Sequence, residues 1–260
     1  VLVYGDTNST IAGALVAAKL HIPVIHVEAG LRSFNKKMPE EINRVLTDHM
    51  SNLLLCSTHQ GVKNLRDENI TEGVHHVGDI MYDAVRHMKR MTDGVTEVGG
   101  VDITTDKIAT CTLHRAENTD DKARLQKILG VLTEFAKDYT IVLPLHPRTR
   151  NAIAKHGLNF GAVCTIDPVG YRDMQALLSK SEMVFTDSGG LQKEAYFHGV
   201  PCVTLRDETE WVELIDHGWN RLWTQADFKP RECIEEYGDG HSGERIIEIL
   251  ETFFADRAPH

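Results

Sequence analysis

Apolar positions along the chain follow two alternating rhythms. Short runs of β-branched and aliphatic residues, bounded by Gly, Pro or polar residues, alternate with longer stretches whose apolar positions return every three or four residues. The opening run from Val1 to Gly5 reads as a buried parallel strand entering a glycine turn. After it the pattern predicts helices over 8–20, 40–50, 59–67 and 79–91, with strands over 23–27, 52–56 and 74–77 between them. A domain rarely begins abruptly in a central strand, so a stretch upstream of Val1 is expected to be missing. A glycine-rich linker is predicted over 94–102.

A second series begins at Lys107. Strands are predicted over 107–113, 139–145, 163–166, 183–186 and 201–205, and helices over 120–135, 173–179, 191–198 and 243–254. Leu125, Ile128, Leu129, Leu132 and Phe135 share one face of the 120–135 helix, with Asn118 or Thr119 as its cap. Near-continuous apolar strands alternating with helices mean parallel sheets covered on both faces. The fold class is therefore α/β, with two Rossmann-like domains of parallel sheet facing an interdomain cleft. The first covers 1–93, the second 94–242, and a C-terminal helix 243–260. In such sheets ligands bind beyond the carboxyl ends of the strands.

Composition narrows the choice of ligand. Lys and Arg total 28 against 38 Asp and Glu, a formal net charge of -10. An acidic chain repels a phosphate backbone, so nucleic acid is not expected as a partner. A small anion then needs locally concentrated donors. The five cysteines are scattered and odd in number, which suits a reducing cytoplasmic setting. No apolar run approaches the roughly 20 residues that span a membrane.

Nearly every predicted strand ends in an ionisable group. Asp6 follows the first strand and Glu28 the second, while Glu40 opens the next helix. His114 and Arg115 follow the strand at 107–113, and His146 the one at 139–145. Each has an ordinary reading as a helix cap or a loop residue; their concentration at one end of the strands is what a cleft enzyme needs. Ser188-Gly189-Gly190 is the clearest ligand signal. Two glycines at a strand-to-helix turn let backbone N–H groups approach an anion, and the helix dipole favours negative charge there. Glu194 lies about one and a half turns further on, placed to accept from ribose hydroxyls. Together these predict a nucleoside diphosphate held by the second domain.

Five segments occur in order: Gly5-Asp6-Thr7-Asn8-Ser9-Thr10, His26-Val27-Glu28-Ala29-Gly30-Leu31-Arg32, Pro39-Glu40-Glu41-Ile42-Asn43-Arg44, His114-Arg115-Ala116-Glu117-Asn118, and Thr186-Asp187-Ser188-Gly189-Gly190-Leu191-Gln192-Lys193-Glu194-Ala195. Over essentially the whole chain they resemble the non-hydrolysing UDP-N-acetylglucosamine 2-epimerases. The resemblance implies the GT-B architecture, a last helix packed back on the first domain, and a homodimer acting on a UDP-sugar without metal or cofactor. It assigns Asp6, Glu28, Glu40 and His114 to catalysis. Arg115, His146, Ser188, Gly189, Gly190 and Glu194 fall to the UDP side. Two departures stand out. The loop from Ser33 to Met38 is shorter than in the best-known bacterial members, and Trp211-Val212 stands where many simple epimerases carry Arg-Pro. The latter is similar to the branch acting on 2,3-diacetamido-2,3-dideoxyglucuronate.

The C2 hydrogen of such a sugar is not beside a carbonyl, so simple deprotonation is very difficult. The route that the resemblance implies expels UDP to leave a C1–C2 alkene, then adds it back after protonation from the other face. One carboxyl must hold its proton at neutral pH, which exclusion of water favours. Acid and base are not distinguished among Asp6, Glu28 and Glu40. A hydrolysing relative, a GT-B glycosyltransferase and a UDP-sugar sensor are the alternative readings.

Overall fold

A computed structural model describes residues 1–105 and 107–255. The chain forms two compact units, Val1–Ala84 with Glu235–His260, and Val85–Ile234.

The first unit holds a four-stranded parallel sheet in the order β1-β2-β3-β4, formed by Leu2–Tyr4, Ile25–Val27, Leu53–Cys56 and Val74–His76. Helices α1 (Asn8–Lys19), α2 (Pro39–Met50) and α3 (His59–Asp67) connect the strands, and α4 (Ile80–Met91) follows β4. Thr7 caps α1, its hydroxyl accepting from Thr10 N–H at 3.3 Å. Ala14 and Ala17 of that helix are small enough to lie close on Val3 and Val24. β2 and β3 are buried along their whole length, the signature of strands covered on both faces.

In the second unit a six-stranded parallel sheet runs in the order β12-β11-β10-β7-β8-β9. A small hairpin of β5 (Glu97–Val98) and β6 (Val101–Asp102) precedes β7 (Ile108–Thr112), the short α5 (Ala116–Thr119) and α6 (Lys122–Phe135). Then come β8 (Thr140–Pro144), α7 (Pro147–His156), β9 (Cys164–Ile166), α8 (Tyr171–Lys180) and β10 (Met183–Thr186). α9 (Gly189–His198), β11 (Cys202–Thr204), α10 (Val212–Asp216) and β12 (Asn220–Leu222) complete the unit. Alternate residues of β10 face opposite cores: Phe185 packs with Leu125, Ile128 and Leu132 of α6, while Val184 packs with Leu178, Leu191 and Ala195.

The chain re-enters the first unit at Glu235 and ends in α11 (Ser242–Ala255). Ile246, Ile249, Leu250 and Phe253 of α11 lie on Ile25, Val27, Leu53, Leu55 and Val77. Its first turn is capped by Asp83, whose carboxylate accepts from Gly243 N–H at 2.7 Å and Ser242 N–H at 3.1 Å. Among the described residues no helix is long and apolar enough to cross a membrane.

Several local features differ from the sequence pattern. The glycine-rich segment at 94–102 is not a free linker: Gly99 and Gly100 both take positive φ, 58° and 82°, and close the β5–β6 hairpin. Val98 is thereby buried against Ile108, Ile103 and Ile166. The unit division falls between Ala84 and Val85, inside α4, and between Ile234 and Glu235. The sequence placed these boundaries at 93/94 and 242/243. Ile80 packs on the first sheet, whereas Lys89 donates to Phe197 O in the second unit, so α4 carries residues of both units. The cap of α6 is Asp121 rather than Asn118 or Thr119; its carboxylate accepts from Ala123 and Arg124 N–H at 2.8 and 3.0 Å. α7, α10 and β12 were not apparent from periodicity. α7 starts on Pro147 and buries only Thr149, Ala152 and Ile153, too few to stand out among its basic residues.

Candidate active site

Two groups of side chains gather at strand carboxyl ends, one in each unit. In the first, the carboxylate of Asp6 accepts from Arg44, at 2.5 Å from Nη2 and 3.2 Å from Nε. Asn43 steadies the same loop, its Nδ2 donating to Asp6 O at 2.9 Å and to Asn8 Oδ1 at 3.0 Å. Glu28 follows β2 in a left-handed conformation, φ 70°, with its N–H on Leu55 O at 3.0 Å. That conformation is strained for a non-glycine residue and points the carboxylate back over Gly5: a Cβ on Gly5 would meet Glu28 Oε2 at 3.6 Å. Asp6 and Glu28 are thus brought to neighbouring loops.

A buried network fixes both loops. His26, fully buried, approaches Gly5 O at 2.8 Å through Nε2 and Asp48 Oδ1 at 2.6 Å through Nδ1. Asp48 also accepts from Gly30 N–H at 3.2 Å and Arg32 Nη1 at 2.6 Å, and Arg32 forms a two-pronged pair with Glu68 at 2.7 and 2.8 Å. Gly5 precedes Asp6 and Gly30 lies two residues after Glu28, so these ions hold the backbone that carries the two acids.

Glu40 sits apart from that network. It is exposed in the first turn of α2, while its neighbour Glu41 is buried and accepts from Ser33 N–H, Ser33 Oγ, Phe34 N–H and Arg44 Nη1 between 2.8 and 3.1 Å. Glu41 therefore anchors the shortened loop and Arg44 together, which the sequence reading did not anticipate.

In the second unit the centre is Asp187, buried at the end of β10. It accepts from His114 N–H, Arg115 N–H and Asn118 Nδ2 between 2.8 and 3.0 Å, and lies 3.1 Å from His114 Nδ1. Burial works to raise the Asp187 carboxyl, but the His114 bond and charge and the two backbone N–H groups outweigh it and hold it below the usual range. With Nδ1 turned to Asp187, the Nε2 of His114 is left for a ligand. The His146 ring lies 5.5 Å from that of His114, and His146 itself caps α7, Nδ1 accepting from Arg148 N–H at 3.1 Å. The sequence pattern points to no role for Asp187, because its partners His114, Arg115 and Asn118 lie 73, 72 and 69 positions away, where spacing carries no information.

Ser188, Gly189 and Gly190 form the turn from β10 into α9, and no side chain caps that helix. Glu194 is buried one turn on. Burial pushes its carboxyl up to about 7, against Tyr171, Lys193 and Gln175, which favour the ionised form. The folded protein therefore binds this proton more tightly than the unfolded chain. Its contribution to stability is complete below about pH 4.5 and is lost as pH rises towards 7, on the order of 3 kcal/mol in all. Glu194→Gln should remove that slope. In urea unfolding between pH 4.5 and 7.5 the variant should gain on the parent as pH rises; a constant difference would show that Glu194 ionises normally.

Residues 1–251 match the family model described as UDP-N-acetylglucosamine 2-epimerase. A Pseudomonas aeruginosa protein named UDP-2,3-diacetamido-2,3-dideoxy-D-glucuronate 2-epimerase is 48% identical over 96% of this chain and 74% of its own length. The UDP-N-acetylglucosamine 2-epimerase of Methanocaldococcus jannaschii is 41% identical over 96% of this chain and 74% of its own. A crystal structure of the M. jannaschii enzyme in complex with UDP-GlcNAc and UDP superposes with a TM-score of 0.81 at 38% identity, over 96% of this chain and 75% of that one. The Neisseria meningitidis enzyme bound to UDP-GlcNAc gives 0.80 at 29% identity, over 96% and 76%. The fold is of the GT-B type carried by these enzymes.

Proposed function

The chain belongs to the UDP-N-acetylglucosamine 2-epimerase family, and from that premise we propose that it interconverts a UDP-N-acetylhexosamine and its C2 epimer. The observation that carries this reading is the pairing of Asp6 and Glu28 on neighbouring strand ends, held by the buried His26–Asp48–Arg32 network. A protein that only binds a nucleotide sugar has no use for two carboxylates so fixed. One carboxylate removes the C2 proton as the C1–O bond to the diphosphate breaks, leaving a C1–C2 alkene and UDP. A proton then returns to C2 from the opposite face, and the diphosphate oxygen re-forms its bond to C1. Asp6, Glu28 and Glu40 are assigned to the protons. His114, oriented by Asp187, faces the leaving diphosphate, with Arg115, His146 and the Ser188–Gly190 turn as its further donors. Glu194 takes the ribose.

Two sugars fit this reading, UDP-N-acetylglucosamine and its 2,3-diacetamido uronic acid analogue, and the relative at 48% identity is named for the second. We place the protein in the cytoplasm, as a homodimer supplying surface polysaccharide synthesis. The test is proton NMR of UDP-N-acetylglucosamine with the full-length protein in heavy water. Deuterium at C2 together with UDP-N-acetylmannosamine is the expected result. Free UDP in stoichiometric amount would make the enzyme a hydrolase instead. If neither sugar exchanged its C2 hydrogen, the epimerase reading would be lost.

A further inference from the structure

Glu194 and His198 stand four residues apart on α9, so their side chains leave the same face of that helix. Beside them Leu191 and Ala195 pack on Met174 and Leu178 of α8, which brings the two helices together. Gln175 of α8 reaches both Glu194 and His198, and it is fully buried. Its Oε1 accepts from His198 Nε2–H at 2.8 Å. Its Nε2 closes no hydrogen bond, although the amide stands near enough to Glu194 to favour the ionised carboxylate. A buried amide donor without an acceptor is costly and calls for a physical reason.

His198 sets the direction of that amide. Burial, with the Lys89 charge nearby, pushes His198 down to about 4, so near neutral pH the imidazole carries a single ring proton. That proton sits on Nε2, where Gln175 Oε1 accepts it; Nδ1 is buried and has no partner. With the amide reversed, Nε2 would become the acceptor and Nδ1 a buried donor with nothing to receive it. The Gln175 oxygen would then be set towards the Glu194 carboxylate, acceptor against acceptor. The histidine therefore turns the NH2 end of Gln175 to Glu194. Glu194 itself is 8% exposed and has the Tyr171 hydroxyl and the Lys193 charge as its other neighbours.

We propose that Gln175, its amide set by His198, is a positioning residue for ribose recognition: when the ribose hydroxyls donate to Glu194, Gln175 Nε2–H closes on the carboxylate from behind and holds it towards the sugar. This rests on the nucleotide reading above, which gives Glu194 the ribose. It adds two residues that touch no ligand and act through that carboxylate alone. The unpaired donor is then the half of a hydrogen bond that the bound nucleotide completes.

Gln175→Met keeps the length and bulk of the side chain and removes the amide. Calorimetry on the full-length protein at pH 8, where Glu194 is ionised, would compare UDP with 2',3'-dideoxy-UDP, which lacks both ribose hydroxyls. The parent should prefer UDP. In Gln175→Met that preference should shrink by roughly 10-fold, as expected for loss of a hydrogen bond to a charged group, with dideoxy-UDP affinity within about twofold of the parent. Equal losses for both nucleotides would mean a packing defect, and an unchanged preference would mean that the amide does not serve the carboxylate; either overturns the proposal. His198→Phe, which leaves the amide without its guide, should reduce the preference several-fold, and an unchanged value there would remove His198 from the scheme. The route through Glu194 is tested by the double variant. In a Glu194→Gln background, Gln175→Met should alter the preference by less than about twofold, and a further 10-fold loss would show that Gln175 acts by another path. A parent that bound both nucleotides equally would show that Glu194 does not take the ribose. The nucleotide reading would then fail at that residue before any variant was made, and this inference with it.

Discussion

Glu28→Gln is expected to lower the rate of C2 epimerisation by on the order of 100-fold or more while leaving UDP affinity within about twofold. The amide keeps the size and much of the hydrogen bonding of the side chain but neither takes nor gives a proton at the required point. Because every residue assigned to UDP lies in the second unit, the nucleotide should not register the change. The split between rate and binding separates a proton-transfer role from a structural one. Deuterium uptake at C2 followed over time, with calorimetric titration of UDP, measures both. Near-normal exchange would remove Glu28 from the chemistry; equal loss of exchange and UDP binding would make it a structural residue.

Gly30→Ala should be the most damaging small substitution in the first unit. Gly30 has φ 82°, and a Cβ there would lie 2.7 Å from Gly61 C and 3.0 Å from Gly61 Cα, backbone atoms of α3. Its own N–H and C=O are both taken, by Asp48 and by Asn64 Nδ2. Neither partner can give way without moving α3 or breaking the buried ion network. Strained backbone and overpacking together give an expected loss of about 3–5 kcal/mol. Gly130→Ala is the control: that glycine is exposed within α6 with nothing within 4 Å of the added carbon, so stability should rise by about 0.5–1 kcal/mol. Urea midpoints at unchanged slope decide the matter. If the two substitutions were alike, the turn beneath Glu28 would be slack and could not position it.

How far the sequence spoke depended on how each feature is encoded. The alternation of β and α, the parallel sheets and the bounds of α3 and β10 are all carried by local periodicity and were readable directly. The β5–β6 hairpin was misread as a linker because glycines mark both free chain and tight turns; burial of Val98 distinguishes them, and burial is a tertiary fact. β12 was missed because Asn220-Arg221-Leu222 has no apolar pattern of its own and is a strand only by pairing with β11. In the site, ionisable residues at strand ends were visible, and so was the glycine turn. Their supports were not. Arg44 meets Asp6 across 38 positions and Asp187 meets His114 across 73, separations at which spacing carries no information.

The left-handed backbone at Glu28 has a consequence for substitution there. At φ 70° a glycine costs less than any side chain, and the difference is on the order of 1 kcal/mol. On backbone grounds alone Glu28→Gly relieves that strain, and it removes the proposed proton-transfer group. A carboxylate at such a place is what the proposed proton transfer would require, at a backbone cost readable from a single torsion angle.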